Sequence, residues 1–522
     1  MTLSTPDYHS QEEFQNRLQK LEEIRALAVD PYPYHFIPTA TTEALKEKYK
    51  DHSPGDSEQA TRGETEKVVV AGRIVLFRAM GKNAFAQIQD HRGRIQVMFN
   101  RDLTKVKGLE GDITPIKFIE KKLDLGDIIG IEGFLFRTHV GELTILATTV
   151  TLLSKALLPL PDKHSGLADK GVRYRKRWLD LITDPEVVSR FRVRSHILRI
   201  IRTFLEKKGF LEVETATLQN TYGGAAARPF KTHLHALDQE MFLRISLEIP
   251  LKKLIVGGMN RVFELGKVFR NEGIDRTHNP EFTELELYAA YFDYNDLMLL
   301  LEELFETIAL ELFGTTKILF REEKEGTELV IDVKSPWKRL SMKESINIYA
   351  GIDVDQKSDE ELKRLLRDTP LKKEDVQKAS RGQLIAYLFE EFVEEHLIQP
   401  HHIIDHPIET TPLCKPHRDP VKRKEGLIER FESFILGGEY SNAYTELNDP
   451  VLQRTLLEEQ VLKKESGDEE AHPMDEEFIE AMSQGMPPTG GLGLGIDRLV
   501  MFFTSSHSIR DVIYFPLMRP ED

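Results

Sequence analysis

The sequence has a single cysteine, Cys414, in 522 residues. That excludes a disulfide framework and any zinc site built from several thiolates, and it fits a reducing cytosol. Long apolar runs are also missing, since none approaches the ~18 residues that a membrane-spanning helix requires. The N-terminal stretch MTLSTPDYHSQEEF has no apolar core of the secretory type. The expectation is a cytoplasmic chain with no membrane partner. Positive charge is in deficit, with 70 Lys and Arg against 86 Asp and Glu and a net charge of −16. An acidic balance argues against a general nucleic-acid binder. The deficit is uneven, however. Residues 67–155 hold 14 Lys and Arg but only 9 Asp and Glu, so a mildly basic module sits on an acidic body and can offer phosphates a local footprint.

A soluble, enzyme-like composition, 40% hydrophobic and 30% charged, at this length implies two to four domains, because one core cannot grow that far. Residues 11–29 carry Phe14, Leu18 and Leu21 at helical spacing, and Pro31 and Pro33 end the pattern. Residues 51–66, DHSPGDSEQATRGETE, read as a loop or linker. From Lys67 the texture changes to short alternating runs: VVVAGRIVLFR, AFAQIQD, RIQVMFN, DIIGIEGFLFR and ELTILATTVTLL. About five strands in roughly ninety residues fit an OB-fold barrel, which commonly binds single-stranded nucleic acid. Arg78, Phe85 and Gln96 lie on or beside the early strands, where such modules put stacking and base-reading groups. A barrel used for protein contacts fits the same pattern.

Residues 156–183 form a connecting segment. A helix follows, with Asp184 as cap, Pro185 in the first turn and Gly209 as the stop; its apolar positions include Val188, Phe191, Ile197, Leu198, Ile201, Phe204 and Leu205. FLEVETATL then enters a strand. Residues 321–380 are charged and helix-prone and read as an insertion of unknown role.

Chemistry concentrates in residues 262–291, VFELGKVFRNEGIDRTHNPEFTELELYAAY. Residues 262–270 alternate as a strand does, with Phe263, Leu265 and Phe269 on one face and Glu264, Val268 and Arg270 on the other. Residues 271–280 are polar and read as a long hairpin loop. Alternation then resumes, with Leu285 and Leu287 to the core and Phe282, Glu284, Glu286 and Tyr288 opposite. Buried charges cost several kcal/mol each unless paired, so a face carrying Arg270, Glu286 and Tyr288 points to a ligand that completes them. A solvated charged face on a surface sheet fits the same letters.

Three further stretches carry chemistry. TGGLGLGIDRLVMF, residues 489–502, has glycines that let another group approach the backbone, with Arg498 on the apolar segment after them. It is neither a dinucleotide fingerprint nor a P-loop, because the flanking elements and the Gly-Lys-Ser/Thr are missing. RFESFILGGEYSNAYTEL, residues 430–447, supplies Glu432 and Glu439, hard oxygen donors suited to Mg²⁺ beside a triphosphate. Glu432 read as an ordinary carboxylate on a helix surface is the plain alternative. Asn442 and Glu446 share strand parity. GGAAARPF, residues 223–230, is a tight small-residue loop that leaves Arg228 unexplained.

Taken with RYRKRWLDL (173–181), PLCKPHRD (412–419) and IRDVIYFPLMRP (509–520), these stretches resemble the class II aminoacyl-tRNA synthetases and closely resemble the bacterial lysyl-tRNA synthetase family. Seven ordered motifs rarely coincide. One departure is Ala216 in FLEVETATL, where the family usually has the proline of its dimer-supporting first motif; Cys414, where a small residue is common, reads as packing.

The resemblance implies an α+β chain: an N-terminal OB-fold β-barrel plus a class II catalytic domain built on a mostly antiparallel sheet flanked by helices. The expected divisions are 1–66 (helix and linker), 67–155 (anticodon-binding barrel), 156–183 (connector) and 184–522 (catalytic). It implies lysine activation by ATP, Mg²⁺ as cofactor, transfer to tRNA(Lys), and a homodimer. Arg270 and Arg498 would be catalytic. Arg270, Glu272, His278, Asn279, Phe282 and Arg498 would bind ATP, and Glu432 and Glu439 the metal. Gly224, Glu248, Arg270, Glu286, Tyr288, Asn442 and Glu446 would bind lysine. Arg78, Phe85, Gln96 and Glu142 would read the anticodon. An aspartyl- or asparaginyl-tRNA synthetase shares the architecture, but two carboxylates and a phenol around the side chain favour an ammonium. An inactive tRNA-binding paralogue should have lost a motif arginine or metal carboxylate, and all four are present.

Overall fold

The structure, a computed structural model, describes residues 6–161, 167, 169–322, 327–466 and 470–520. Residues 1–5 of the polar N-terminus, 162–166 and 168 of the connector, and 323–326 of the charged segment lie outside the described residues. The chain divides into two compact units, Met1–Asp169 and Lys170–Asp522. Among the described residues no helix is long and apolar enough to cross a membrane.

The first unit holds a barrel of five main strands: β1 (Lys67–Met80), β2 (Asn83–Gln89), β3 (Arg94–Asn100), β4 (Ile128–Arg137) and β5 (Leu143–Ser154). They run β3-β2-β1-β4-β5, and a parallel pairing of β3 with β5 closes the barrel. In β2 and β3 every second residue is buried. Ile88, Val97, Phe99, Ile129, Ile131 and Ile145 therefore fill the interior, while Arg78, Phe85 and Gln96 take the outer parity. The N-terminal helix, Glu12–Ala26, packs Phe14, Leu21 and Ile24 inward. Residues 51–66 are not simply a linker. Ser57–Thr61 is helical because Asp56 and Gln59 form a reciprocal cap, and Ala60 is buried beside Phe136 and Leu146. One short helical turn has no periodic apolar pattern to reveal it.

The second unit is organised by an eight-stranded sheet. Its strands are β6 (Leu211–Glu212), β7 (Arg261–Phe269), β8 (Glu281–Ala290), β9 (Lys338–Ser341), β10 (His401–Pro407), β11 (Leu427–Ile435), β12 (Gly438–Thr445) and β13 (Thr489–Gly495). The order is β9-β10-β11-β12-β13-β8-β7-β6, and only the pairings at the two ends are parallel. FLEVETATL joins this sheet over just two residues, at its edge. Helices α1 (Pro185–Lys207) and α3 (Tyr294–Phe313) cover one face, packing on Leu285, Leu287, Leu492 and Leu494. Between them in the chain, α2 (Glu248–Val256) lies on the other face against Val262, Val268 and Tyr288. The rest of that face is left for the site.

Helix α1 starts where its punctuation says, the Asp184 carboxylate accepting from Glu186 N at 2.9 Å. Its buried stripe runs through Val187 and Ile200, and the expected Val188 and Leu198 are only half-buried. The charged segment after α3 opens with strands rather than helices. Lys317–Arg321 and Glu328–Asp332 form a hairpin, β9 joins the main sheet, and four helices then enclose a core of Leu340, Ile346, Leu362, Leu384 and Leu388. Strand propensity in LVIDV was masked by the surrounding charge. Asp184→Ala is expected to lower stability by about 1 kcal/mol through loss of the cap, read as a lower urea midpoint; no change would mean that backbone or water already satisfies that helix end.

Candidate active site

The open face of the sheet is set by register. β7 pairs antiparallel with β8, β8 with β13, and β13 with β12. Glu286 lies opposite Gly493, Tyr288 opposite Gly491, and Asn442 opposite Gly493. Phe282, Glu284, Glu286, Tyr288, Asn442 and the odd-numbered glycines of β13 thus share one surface, while Leu492 and Leu494 enter the core. The glycines are a packing requirement. A Cβ on Gly491 would lie 2.1 Å from Glu446 Oε1 and 2.4 Å from the Tyr288 ring, so only glycine leaves room for the polar row.

At one end is a cavity of about 260 Å³ lined by Gly224, Glu248, Glu286, Tyr288, Asn442 and Glu446, among others. Glu286 is buried and accepts from Ser246 Oγ at 2.8 Å, Leu247 N at 2.7 Å and the Tyr288 hydroxyl at 2.9 Å. Burial, with Glu284 and Glu248 close by, pushes its carboxyl up to about 8. Burial also pushes Glu446 up to about 8, against the opposing pull of Lys252. Gly224 has φ +87, and a Cβ there would crowd Ser246 and Glu248. Asn442 is held on both sides, accepting from Arg430 Nε at 3.0 Å and donating to the Tyr444 hydroxyl at 2.9 Å.

The adjoining cavity, about 220 Å³, is lined by Arg270, Glu272, His278, Asn279, Phe282 and Arg498 with their neighbours. The Arg270 guanidinium lies 5.1 Å from the Phe282 ring centre and donates to Ile245 O at 3.2 Å. Arg498, on α4 (Ile496–Phe503), hydrogen-bonds Glu439 O and lies 3.4 Å from His278 Nε2. His278 is steadied by Asp275 at 2.8 Å. Asn279 donates to Glu281 O at 2.6 Å, and its buried Oδ1 has no partner. Glu272 is exposed at the mouth. Glu432 sits on β11, not on a helix, paired with Arg430; Glu439 on β12 is 3.8 Å from Arg498.

The residues expected around lysine, ATP and metal are therefore brought to two abutting cavities that share Arg270, Glu284, Glu439 and Asn442. Arg78, Phe85, Gln96 and Glu142 are in the other unit. There Phe85 faces Arg78 and Met98 across the strands, Gln96 Nε2 donates to Thr144 Oγ1 at 2.9 Å, and Glu142 is half-buried beside that turn. Arg228 contributes its carbonyl, which accepts from Asn271 N at 2.8 Å and ties residues 223–230 to the end of β7.

Sequence reasoning missed Lys252, Arg430 and Asp497, and it put Glu284 on the face of Glu286 without a role. Lys252 is fully buried on α2 inside an apolar run; its Nζ contacts Glu248 and lies 2.5 Å from Glu446. Burial would push the ammonium down, but the two carboxylates outweigh it and hold it up. The i,i+4 spacing of Glu248 and Lys252 was the available signal. Asp497 accepts from Arg194 at 2.5 Å and from Thr283 N at 2.7 Å, fixing α4 to β8 and α1. Arg430 looks like a surface letter until the strand parity is known.

Lys252→Met leaves two buried carboxylates without their counter-ion. It is expected to cost about 3–5 kcal/mol in denaturant unfolding at pH 8, and less at pH 5, where the carboxylates can take up protons. An equal loss at both pH values would show that Lys252 packs without pairing.

Residues 169–519 match the family model of class II tRNA synthetases for D, K and N, and residues 68–153 match the OB-fold nucleic acid binding domain. A lysine–tRNA ligase of Chlamydia caviae is 57% identical over 99% of both chains. That of Chlamydia pneumoniae is 58% identical over 99% of this chain and 98% of its own. A lysine–tRNA ligase of a Thermoanaerobacter species is 47% identical over 97% and 96%. The catalytic sheet with its two abutting cavities, the barrel and these likenesses over nearly the full length agree: the chain belongs to the class II tRNA synthetases of the aspartate, lysine and asparagine group.

Proposed function

We infer that the chain is an ATP-dependent lysine–tRNA ligase. One observation carries the choice of lysine. Glu432 and Glu439 face Arg430 and Arg498, and among the described residues the ion pairs of Glu248, Glu284 and Glu446 run to Lys252 and Arg270, while Glu286 is held by hydrogen bonds. The pocket is short of positive charge, and an ammonium-bearing amino acid supplies it. Aspartate would bring like charge, and asparagine would leave the buried carboxylates unmatched. An inactive paralogue has no reason to keep both arginines and both acidic pairs.

The reaction runs in two displacements. Lysine's carboxylate oxygen attacks the α-phosphorus of ATP, forming lysyl-adenylate as pyrophosphate leaves. A hydroxyl of the terminal tRNA ribose then attacks the acyl carbon and AMP leaves. No enzyme nucleophile is needed, so the side chains contribute position and charge. Glu286, Tyr288 and Glu446 take the ε-ammonium, Glu248 and the Gly224 backbone take the α-amino end, and Asn442 takes the carboxylate. Arg270 bridges the carboxylate and the α-phosphate. Phe282 offers the ring face away from Arg270 to adenine, with Glu272, His278, Asn279 and Arg498 around the nucleotide. Mg²⁺ fits Glu432 and Glu439, which line one cavity: two carboxylates completed by phosphate oxygens and water are a donor set this ion takes. When bound it would neutralise triphosphate charge.

The barrel takes the tRNA anticodon on its outer face, with Phe85 stacking and Gln96 reading a base edge, flanked by Arg78 and Glu142. A homodimer is supported by exposed apolar side chains, Leu211 and Leu218, in the segment around Ala216. The setting is cytoplasmic.

Pyrophosphate exchange tests the reading. Exchange is expected with lysine and not with aspartate or asparagine, and only with Mg²⁺; exchange with either of the others overturns the lysine assignment. Glu286→Gln is expected to raise the lysine KM about 10-fold or more while leaving the ATP KM near its starting value; an equal loss of both would remove Glu286 from the lysine site. Because Glu286 titrates near 8, it must release a proton to receive an ammonium. Lysine binding should therefore strengthen as pH rises from 6 to 8, by up to about 10-fold per unit, then level off. A flat lysine KM over that range would count against an ionised Glu286 as the acceptor.

A further inference from the structure

Glu284 stands on the wall between the two cavities and lines both. Its side chain is 14% exposed, and its Oε2, itself buried, accepts no hydrogen bond. The carboxylates around it are provided for. Glu286 accepts three hydrogen bonds, and Glu248 and Glu446 share the Lys252 ammonium. Among the described residues Glu284 has an ion pair with Arg270, whose Nη2 is 3.8 Å from that same Oε2, close enough for attraction and too far for a hydrogen bond. A buried carboxylate oxygen without a donor carries its full desolvation cost. Beside a cleft built for phosphates it is also repulsive unless a cation stands with it.

The position narrows which cation. An α-amino acid carries its ammonium and carboxylate on one carbon, and the point where that carboxylate meets the α-phosphate is the junction of the two cavities. Arg270 and Glu284 present the complementary charges there, side by side. The strand beside Glu284 carries no side chain at the facing positions: Gly495 lies opposite it on β13, and Gly493 is the nearer glycine to its Oε1.

We propose that Glu284 is a specificity-determining residue that receives the α-ammonium of the amino acid while Arg270 holds the adjacent carboxylate. The inference rests on the lysine–tRNA ligase reading. Glu248 then serves the α-amino end jointly, its charge already shared with Lys252. The Arg270–Glu284 pair selects α-amino acids over amines and ω-amino acids, leaving the other end of the pocket to choose the side chain.

The test compares L-lysine with 6-aminohexanoate, which keeps the ε-ammonium and the carboxylate but lacks the α-amino group, using Glu284→Gln and Glu284→Met in the full-length enzyme. Lysine KM in pyrophosphate exchange is expected to rise about 10- to 100-fold in both variants. Inhibition by 6-aminohexanoate, the ATP KM and the Mg²⁺ midpoint are expected to stay as in the unaltered enzyme, and thermal melting checks that the variants fold. An unchanged lysine KM overturns the proposal. So does a parallel loss of 6-aminohexanoate inhibition, and so does a shifted Mg²⁺ or ATP requirement, which would assign Glu284 to the nucleotide. Lysine-dependent exchange by the unaltered enzyme decides the ligase reading separately.

Discussion

Carboxylates buried on one face of a sheet must be given cations or keep their protons, and the second unit is built around that demand. Glu248 and Glu446 are provided for within the protein by Lys252, which is itself fully buried between them. Glu286 is stabilised instead by three hydrogen bonds, one of them from the backbone where α2 begins. These are costly groups to take out of water, and their mutual arrangement repays the cost only when the geometry is good. Ligand charge completes what the protein leaves unmatched. Burial, more than the charges around them, raises the titration points of Glu286 and Glu446, and the proposed preference for an ammonium rests on the same carboxylates.

Holding such a row in place is a matter of backbone register. Three antiparallel pairings bring β7, β8, β13 and β12 together, so that side chains two residues apart in sequence and glycines far from them share one floor. The strand TGGLGLG does two jobs by alternation: its leucines seal the core, and its glycines leave volume for Tyr288 and Glu446. Asp497 then locks α4 to β8, which sets Arg498 in the lining of the adjoining cavity. Positioning of this kind is what a reaction without an enzyme nucleophile demands.

The barrel obeys different physics. Its interior is a plain alternation of apolar side chains, and its outer face is left to half-buried Phe85 and Gln96 and exposed Arg78. It carries the local excess of basic residues on a chain that is acidic overall. The basic excess is thus kept on a module separate from the one that carries the buried carboxylates.

Much of this was legible in the letters. Period-two alternation announced the barrel strands and the hairpin of β7 and β8, because a half-buried strand needs one apolar face. Asp184, Pro185 and Gly209 announced α1, because helix ends need local partners whatever they pack against. The motifs located the two cavities' main residues. Other features were hidden for physical reasons. The turn at Ser57–Thr61 is too short for periodicity, and the strands in the charged segment take their stability from distant partners. Lys252 looked like one more lysine of an amphipathic helix, and alternation put Glu284 on the site face without showing that its buried oxygen lacks a partner. The sequence alone determines which elements form and which faces they show, since propensity, capping and alternation are local. Only the tertiary structure decides which charges meet, because pairing a lysine on α2 with a glutamate some two hundred residues away, or leaving Glu284 unpaired, depends on register and burial that no local pattern encodes.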